Sequence, residues 1–472
     1  MTDLAPRTPS YRLTWTDALL DLQDLLQDFP APIYIVGGAV RDALMHRAIQ
    51  DVDLATPGNP IALARKISNA FNSGALYIMD EERGVARAIV ETMSGKLTVD
   101  VAAFRGEAGD ILTDLRDRDY TINAMMVDLK GDLTQLIDPL NGELDLIQKT
   151  VRRCREGAIV SDPVRALRGF RVSQQLGFKI HPDTLQEIRQ AAALLNTVSA
   201  ERVRDELFKV LSLPRPAATL RAMTQIDLLA AALPVLRHAT PASLTLALAT
   251  MDKLAVLLSG IRPAGTDNLA SDLTYGTALT QIVHLRAALA THISESWAND
   301  RSHTALLMLM ALLSAVPHEL DLADTLNDGL RLSNPEKKRI QAALTHRDAM
   351  LNLSDDSALS QHRFWFALEA AGVDVCLLTW AGYLAAEGVY VKQKVWVALI
   401  TRGRLLLEAY YQHYNEIVNP PIWVSGNDLM EQLGLPAGKQ VGRLLTAIRE
   451  AQVMGQITDA ESALAFAKAQ LS

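Results

Sequence analysis

Hydrophobic and polar positions in the first third of the chain switch between helical and strand spacing. Residues 16–28 carry leucines at helical spacing and predict a first helix, which Pro30 ends. Short β-branched or alternating segments predict strands at 33–36, 50–54, 76–79, 86–91 and 96–103, with a helix over 60–71 among them. This alternation predicts an α/β domain that ends near residue 147.

The pattern changes from about Asp162 onward. Leucine, alanine and arginine at helical spacing then dominate, and strand signals nearly vanish. Breaks in the helical pattern occur near 214–216, 259–267, 354–357 and 419–421. The fold class predicted is therefore α+β, with an α/β head followed by an all-helical remainder.

Composition narrows the classes of protein that the chain can belong to. Its 472 residues are 49% hydrophobic, enough for more than one core. The N-terminus has no apolar run of the kind that a signal peptide needs, and no uncharged apolar stretch of about 18 residues predicts a membrane span. The two cysteines, Cys154 and Cys376, are too far apart in sequence to indicate a disulfide framework or a metal motif. We expect a cytoplasmic protein that does not enter a membrane.

Charge is distributed unevenly along the chain. The net charge is −8, but residues 151–215 hold 12 Lys and Arg against 7 Asp and Glu. Such a local excess of positive charge fits a stripe that binds a nucleic-acid backbone, and it fits a solvated helix face equally well.

The first candidate for chemistry is a glycine pair followed by two aspartates. Gly37 and Gly38 lie between a predicted strand and a predicted helix, where backbone amides can approach a phosphate. Asp51 and Asp53 lie two apart on the next strand, so their carboxylates point to the same side. Each feature alone is more often a tight turn or a surface pair. Together they fit a site that holds a triphosphate on amides and divalent cations on carboxylates.

Two later segments could contribute to the same site. Asp100, on the strand predicted over 96–103, is either a third carboxylate ligand or a surface residue. Arg118 offers a fork of donors for phosphate oxygens, and Asn123 lies about one helical turn beyond Asp119. The alternative for this second segment is an ordinary helix start capped by Asp119 or Thr121.

These motifs, in this order, resemble the class II tRNA nucleotidyltransferase and poly(A) polymerase family. The resemblance covers about residues 30–215 and rests on five motifs. They are Gly37-Gly38-Ala39-Val40-Arg41-Asp42 with Asp51-Val52-Asp53, Arg118-Asp119-Tyr120-Thr121-Ile122-Asn123-Ala124, Ile137-Asp138-Pro139 with Gly142, Asp162-Pro163-Val164-Arg165-Ala166-Leu167-Arg168, and Glu201-Arg202-Val203-Arg204-Asp205-Glu206. The resemblance implies a nucleotidyltransferase head with a mixed sheet over 1–147, a nucleotide-selecting and RNA-binding neck over 148–215, a helical body over 216–415 and a helical tail over 416–472.

The resemblance also implies a role for each motif. Asp51 and Asp53 would bind two Mg²⁺ ions, with Asp100 as a further candidate ligand. The remaining residues would bind the nucleotide, namely Gly37, Gly38, Arg41, Arg118, Asn123, Asp162, Arg165 and Arg168. Asp162, as helix cap or first turn, and Arg165 would read the base edge, because a carboxylate accepts from the amino group of C or A while an arginine donates to a ring nitrogen or carbonyl. Arg202 and Glu206, four apart, would brace that helix.

The implied activity is addition of C, A or both to the 3′ end of tRNA from CTP and ATP. The RNA 3′-hydroxyl would attack the α-phosphorus in line, and pyrophosphate would leave. Alternatives are a poly(A) polymerase of the same family, an enzyme that adds only CC or only A, and a non-catalytic RNA-binding protein. The intact Asp51, Asp53, Arg118, Asp162 and Arg165 argue against the last.

The chain departs from the family pattern at several positions. Ser161 stands where the family usually has Glu, and Asp117 stands where it usually has Arg. The segment 105–115 is shorter than in many CCA-adding members, which leaves CC-only or A-only addition open. The body has Ser314-Ala315 where a metal-binding His-Asp pair would be expected, and His284, His292, His303 and His318 show no ligand spacing. We therefore expect a degenerate body without metal ligands.

Overall fold

The computed structural model describes residues 4–49, 51–71, 74–92, 95–105, 110–262 and 273–471. It separates into two compact units. The first runs to Ser199 and includes Ile226–Ala231, and the second comprises Ala200–Gln225 and the chain from Ala232 onward. The predicted boundaries at 147, 215 and 415 stay predictions.

A mixed sheet forms the centre of the first unit. Within the described residues its strands are β1 (Tyr34–Val36), β2 (Asp51–Thr56), β3 (Ala75–Asp80), β4 (Val85–Thr92), β5 (Gly95–Ala103) and β6 (Met126–Asp128). Their order is β3-β4-β5-β2-β1-β6. Strands β2 and β5 are parallel, and the other neighbours are antiparallel. The predicted α+β class with a mixed sheet is confirmed.

The helices of this part of the chain include three that the sequence predicted, at 16–28, after Gly38 and at 60–71. The helices, in chain order, are α1 (Asp17–Leu26), α2 (Gly38–Leu44), α3 (Pro60–Ala70), α4 (Ile111–Arg116) and α5 (Gly142–Ile147). Asn59 caps α3 by accepting from the Ala62 amide at 3.0 Å, and Pro60 occupies the first turn. Leu63 and Ile67 of α3 are fully buried, which fixes the helix on the sheet.

The first unit continues into a small helical region. Its elements are β7 (Thr150–Val151), α6 (Val164–Leu176), β8 (Lys179–Ile180) and α7 (Pro182–Ala192), with β7 and β8 parallel. Gly177 ends α6 in the left-handed conformation at φ 70°. These connections place the N-terminal end of α6 beside the segment that follows α4.

The second unit is helical throughout its described residues. Its α-helices are α8 (Ala200–Leu211), α9 (Pro216–Thr224), α11 (Pro241–Ile261), α12 (Leu273–Gln281), α13 (Arg286–Ile293), α14 (His303–Leu313), α15 (Asn334–Thr345), α16 (Ala358–Leu368), α17 (Ala371–Glu387), α18 (Gln393–Gln412), α19 (Gly426–Leu433), α20 (Lys439–Val453) and α21 (Ala460–Ala469). Helix α10 (Leu228–Ala232) lies across the division between the units.

Helix α11 has the length and hydropathy that crossing a membrane would require. Its most apolar window has a mean hydropathy of 1.6, and half of that window is buried. Helices α16 and α17 would pass the same test only as one span bent by 105°. Asp252 of α11 pairs with Arg221 at 2.5 Å, and Leu254 and Leu257 are buried against other helices. We interpret α11 as a core helix of the helical unit.

Candidate active site

The glycine turn lies directly against one of the two aspartates. Gly37, between β1 and α2, has φ 74°, a conformation that side chains rarely adopt. A Cβ atom placed on Gly37 would lie 2.8 Å from Asp53 Oδ2 and 3.6 Å from Arg118 Nη1. The turn, a carboxylate and a guanidinium group therefore converge on one point.

The two aspartates share one face of β2. Asp51 is exposed and Asp53 is half-buried, whereas Val52 between them points into the core. Neither carboxylate accepts a hydrogen bond from the part of the chain that the structure describes. Burial raises the pKa of Asp53, Arg118 opposes that rise, and Asp100 adds to it. A partly buried carboxylate with unused lone pairs gains from a bound cation.

Asp100 lies beside Asp53 but already has a partner. The two residues are in register on parallel strands β2 and β5, so their side chains share a face. Arg87, opposite Asp100 on β4, donates through Nε to Oδ1 at 2.7 Å and through Nη2 to Oδ2 at 2.8 Å. Ligation of a metal by Asp100 stays a prediction, and the ion would share this carboxylate with Arg87.

The residues predicted to bind the triphosphate form one network beside the turn. Arg41 donates to Asn123 Oδ1 at 2.7 Å and to both carboxylate oxygens of Asp42. Asn123 ends a short 3₁₀ turn, Thr121–Asn123, and donates to Asp119 Oδ1 at 3.3 Å. The predicted proximity of Asn123 and Asp119 is therefore observed, although the turn is 3₁₀ and not the start of an α-helix.

Arg118 is a buried cation beside the glycine turn. It is 8% exposed, and its Nε donates to Asp114 Oδ2 at 2.9 Å. Asp114, fully buried on α4, therefore fixes the guanidinium group in place while Nη1 faces Gly37. A charged donor held so firmly is suited to the oxygens of a phosphate.

The predicted base readers lie together at the start of α6. The N-cap of α6 is Pro163, whose φ of −60° and ψ of −22° are already helical, and the Asp162 carbonyl accepts from the Arg165 amide at 3.0 Å. Of the two predicted places for Asp162, the first turn therefore fits and the cap position does not. Asp162 Oδ2 lies 3.5 Å from Arg165 Nε.

The Arg165 guanidinium group binds mainly to backbone. It donates to the carbonyls of Asp117 at 2.7 Å, Ala158 at 3.0 Å and Arg118 at 3.3 Å. Arg165 is 9% exposed. These contacts hold Arg165, one of the two predicted base readers, against the segment that carries Arg118.

Arg168 and Asp119 form a second link between α6 and that segment. Arg168 Nη1 lies 3.1 Å from Asp119 Oδ2. Although burial opposes ionisation of Asp119, Arg168 and the Tyr120 amide lower its pKa to about 2. Asp119 is thus a fixed anion that positions Arg168, Asn123 and the Tyr120 backbone.

The two departures from the family pattern have local partners. The Asp117 carboxylate lies 3.2 Å from Arg155 Nε, and Ser161 Oγ donates to the Ala158 carbonyl at 3.1 Å. The aspartate at position 117 thus has a cation of its own in Arg155. Of segment 105–115, the stretch 106–109 lies outside the described residues.

Sequence reasoning missed Arg105 as a member of the site. Its Nη1 donates to the Asp117 carbonyl at 3.3 Å. The Arg105 side chain is exposed, and its charge lies near enough to Asp53 to oppose the rise that burial causes in the pKa of that carboxyl. An arginine two residues after the strand that carries Asp100 was the available signal, because strand ends commonly carry site residues.

Much of the basic excess in 151–215 is neutralised within the fold. Besides the pairs of Arg155, Arg165 and Arg168 already described, several cations of this stretch have acidic partners. They are Arg152 with Asp145, Arg153 with Glu187 and Arg204 with Asp205. Much of the positive charge in this stretch therefore organises the protein itself.

The proposed bracing residues lie in the second unit. Arg202 and Glu206 occupy α8, and Lys209 Nζ lies 3.5 Å from Glu206 Oε1. Bracing of α6 by Arg202 and Glu206 stays a prediction.

A second cluster of potential ligands lies in the helical unit. His292 Nε2 and His303 Nε2 each lie 2.8 Å from Asp374 Oδ1, and this grouping could hold a metal ion. The spacing of these histidines in the sequence did not indicate this grouping, and the expectation of a body without metal ligands stays a prediction. Helices α13, α14 and α17 bring them together from distant positions in the sequence.

The hydrogen bonds within this cluster favour a structural role. Trp297 Nε1 donates to His303 Nδ1 at 3.0 Å, which leaves Nε2 of His303 as the protonated nitrogen that donates to Asp374. Arg339 Nε lies 2.5 Å from Asp374 Oδ2 and supplies the balancing charge. A metal ion would have to displace that proton and lie beside a guanidinium group. We interpret the cluster as a buried hub that joins the helices.

Comparison with known proteins places the whole chain among enzymes of one kind. The family described as the poly A polymerase head domain matches residues 33–152, its probable RNA- and SrmB-binding site matches 177–240, and a putative second domain of tRNA nucleotidyltransferases matches 406–467. A CC-adding tRNA nucleotidyltransferase of Geobacter sulfurreducens is 32% identical over 457 residues, covering 93% of this chain and 92% of the relative.

A second sequence relative adds a different nucleotide, and a solved structure has a similar fold. An A-adding tRNA nucleotidyltransferase of Deinococcus radiodurans is 30% identical and covers 93% of this chain and 96% of the relative. The fold is similar to that of the Thermotoga maritima CCA-adding enzyme solved in complex with tRNA, with a TM-score of 0.55, 21% identity and coverage of 97% and 95%.

Proposed function

Because this chain belongs to the family of tRNA nucleotidyltransferases, we propose that it adds two cytidines to the 3′ end of tRNA from CTP and releases pyrophosphate. The chain is a nucleotidyltransferase, and its family depends on a divalent metal ion. The observation that carries the proposal is the convergence of the Gly37 turn, the Asp53 carboxylate and the Arg118 guanidinium group. We place the reaction in the cytoplasm, where the free Cys154 and Cys376 stay reduced.

The donors at the end of β2 suit a hard divalent cation. Asp51 and Asp53 offer carboxylate oxygens on one face, with lone pairs that no described residue uses. Mg²⁺ typically binds through one or two carboxylates, several waters and substrate phosphates, so we propose Mg²⁺ as the ion. Such an ion supplies positive charge to the triphosphate and favours the ionised form of the attacking hydroxyl.

The protein's own groups then orient the nucleotide. The amides of the Gly37-Gly38 turn approach the triphosphate because no Cβ stands in the way, and Arg41 and Arg118 donate to its oxygens. The 3′-hydroxyl of the RNA is held in line with the α-phosphorus, and the bond to pyrophosphate breaks as the new phosphodiester bond forms. Fixed donors reduce the reorganisation that this step requires.

Base selection is assigned to Asp162 and Arg165. Cytosine presents an amino group to a carboxylate and acceptors to a guanidinium group, whereas uracil presents no amino group. Asp162→Ala should therefore lower the ratio of kcat/KM for CTP over UTP by about ten-fold, since one good pair contributes about 1–3 kcal/mol of discrimination. Steady-state incorporation of each nucleotide measures the ratio.

Asp183→Ala is the matched control for Asp162→Ala. Asp183 is an exposed acid in the first turn of the next helix, α7. Its removal should leave the ratio unchanged. An unaltered ratio in Asp162→Ala would show that the base is read by other groups.

Addition of a single terminal A is the second candidate, favoured by the Deinococcus radiodurans relative. We prefer CC addition because the Geobacter sulfurreducens relative, which is the more similar of these two, adds CC. The short segment 105–115 is compatible with either partial activity.

Defined tRNA ends separate these activities. The purified protein is incubated with tRNA that lacks CCA, or that already ends in CC, and with labelled CTP or ATP. We expect two cytidines on the first RNA and no A on the second. Adenosine added only to the CC end would establish the A-adding alternative, and long A tails on unrelated RNA would contradict a tRNA-specific enzyme.

A further inference from the structure

A buried hydroxyl group connects the phosphate-binding segment to the base-reading helix. The side chain of Tyr120 is fully buried, and its hydroxyl donates to the Arg165 carbonyl at 2.6 Å. In an α-helix the Arg165 carbonyl also accepts from the amide four residues later, that of Gly169. Tyr120 therefore binds the backbone of α6 at Arg165, whose side chain we propose as a base reader.

Gly169 provides the space for this hydroxyl. A Cβ atom on Gly169 would lie 2.3 Å from the Tyr120 hydroxyl oxygen, 3.0 Å from Tyr120 Cζ and 3.2 Å from Ile188 Cδ1. Gly169 lies inside α6, where glycine costs about 1 kcal/mol relative to alanine. The close approach of the phenol gives this glycine a reason to be there.

This hydrogen bond is one of three contacts that join residues 117–120 to α6. Arg165 donates to the carbonyl of Asp117, Arg168 pairs with Asp119, and Tyr120 donates to Arg165. Arg118, which faces the glycine turn, lies within this segment. The set therefore fixes the distance between the group that binds phosphate and the groups that read the base.

We propose that Tyr120 and Gly169 form a complementary pair that positions the base-reading end of α6 and thereby sets nucleotide selectivity. Tyr120 acts through Arg165 and touches no substrate, so it is a positioning residue. The proposal rests on the proposed function, because it assigns base reading to Asp162 and Arg165. Burial raises the pKa of Tyr120 well above its usual value, so the hydroxyl stays a donor throughout the working range of pH.

A double-mutant cycle tests the pair. Tyr120→Phe removes only the hydroxyl and should lower the kcat/KM ratio of CTP over UTP about five-fold, the effect of one hydrogen bond. Gly169→Ala should lower the ratio about ten-fold or more, because its Cβ displaces the hydroxyl from the carbonyl. The double variant should recover part of the selectivity that Gly169→Ala loses, since the 2.3 Å clash disappears with the hydroxyl while Cζ stays 3.0 Å from the new Cβ.

Tyr383→Phe is the matched control. The Tyr383 hydroxyl also donates to a backbone carbonyl, that of Lys392 at 3.3 Å, but it lies in the helical unit. Its loss should leave the ratio unchanged. A ratio unchanged in Tyr120→Phe, whatever its melting temperature, would overturn the proposal, and so would losses in the two single variants that simply add in the double. If Tyr120→Phe does not fold, Gly169→Ala alone decides, and an unchanged ratio in that variant would overturn the proposal.

The ratio is measured for whichever nucleotide the wild type incorporates. A wild type that adds A would contradict CC addition, and the ratio of ATP over GTP would then test the pair. Failure of the proposed function and failure of this inference are thus separate results.

Discussion

Replacing Asp53 by asparagine should reduce nucleotide incorporation by about 10³-fold or more. The half-buried Asp53 carboxylate lies against the glycine turn and is one of the two ligands that we propose for the divalent ion. An amide oxygen carries no charge, and loss of metal-assisted charge stabilisation costs several kcal/mol of the barrier, at about 1.4 kcal/mol for each ten-fold change. Incorporation of labelled CTP at saturating metal measures the loss.

The same substitution should leave the metal-free protein at least as stable as the wild type. A raised pKa means that the folded protein binds the Asp53 proton more tightly than the unfolded chain does. The free energy of unfolding of the wild type should therefore fall as the pH rises from the usual value of 3.8 through the raised pKa. Asp53→Asn removes this fall in the free energy of unfolding. The difference in melting temperature between the variant and the wild type, in EDTA at neutral pH, measures the effect.

Asp132→Asn serves as the control for both measurements. Asp132 is an exposed acid on a turn of the same unit, bonded to Thr134. Its replacement should leave incorporation unchanged. Near wild-type incorporation by Asp53→Asn would remove Asp53 from the metal site, and a clear drop in its melting temperature would show that the carboxylate has a structural role.

Replacing Gly37 by alanine should lower kcat/KM by about 100-fold. The new Cβ would lie 2.8 Å from Asp53 Oδ2, so the carboxylate or the turn must shift. A shift of about 1 Å at a reacting centre can cost about 100-fold. The backbone adds strain of about 1 kcal/mol or more, because φ is 74°.

Gly177→Ala separates strain from the clash. Gly177 has a similar φ of 70°, and a Cβ there would meet nothing within 4 Å. Both variants should lose similar unfolding free energy in denaturant titrations, but only Gly37→Ala should lose activity. Equal activity in the two variants would mean that the turn does not need its close approach to Asp53.

The parts of the site governed by short-range rules could be predicted from the sequence. The two-residue period of a strand puts Asp51 and Asp53 on one face, and a glycine pair between a strand and a helix predicts a tight turn. The structure brings that turn to Asp53, as the sequence analysis required. Most of the sheet followed from the same local patterns.

Features that depend on tertiary contacts could not be predicted in this way. Strand β6, Met126–Asp128, is too short for its alternation to be recognised, and pairing with β1 stabilises it. Two of the three backbone partners of Arg165, the carbonyls of Asp117 and Arg118, come from a segment more than 40 residues away. No local pattern reveals such partners.

The histidine cluster shows the same limit in the helical unit. His292 and His303 lie 11 residues apart, and their common partner Asp374 lies far along the chain on another helix. The ligand spacing of a metal motif was absent from the sequence, but the fold supplied the proximity. Only the partners Trp297 and Arg339 then distinguish a structural hub from a metal site.

Locating the bound ion is the most direct test of the central claim that Asp51 and Asp53 hold a divalent metal beside the glycine turn. Crystals grown with CTP and Mn²⁺ would reveal the ion by its anomalous scattering. We predict a peak in contact with both carboxylates, at about 2.0–2.2 Å, that also touches the triphosphate. A peak only at His292, His303 and Asp374, or a triphosphate bound away from Gly37, would contradict the account.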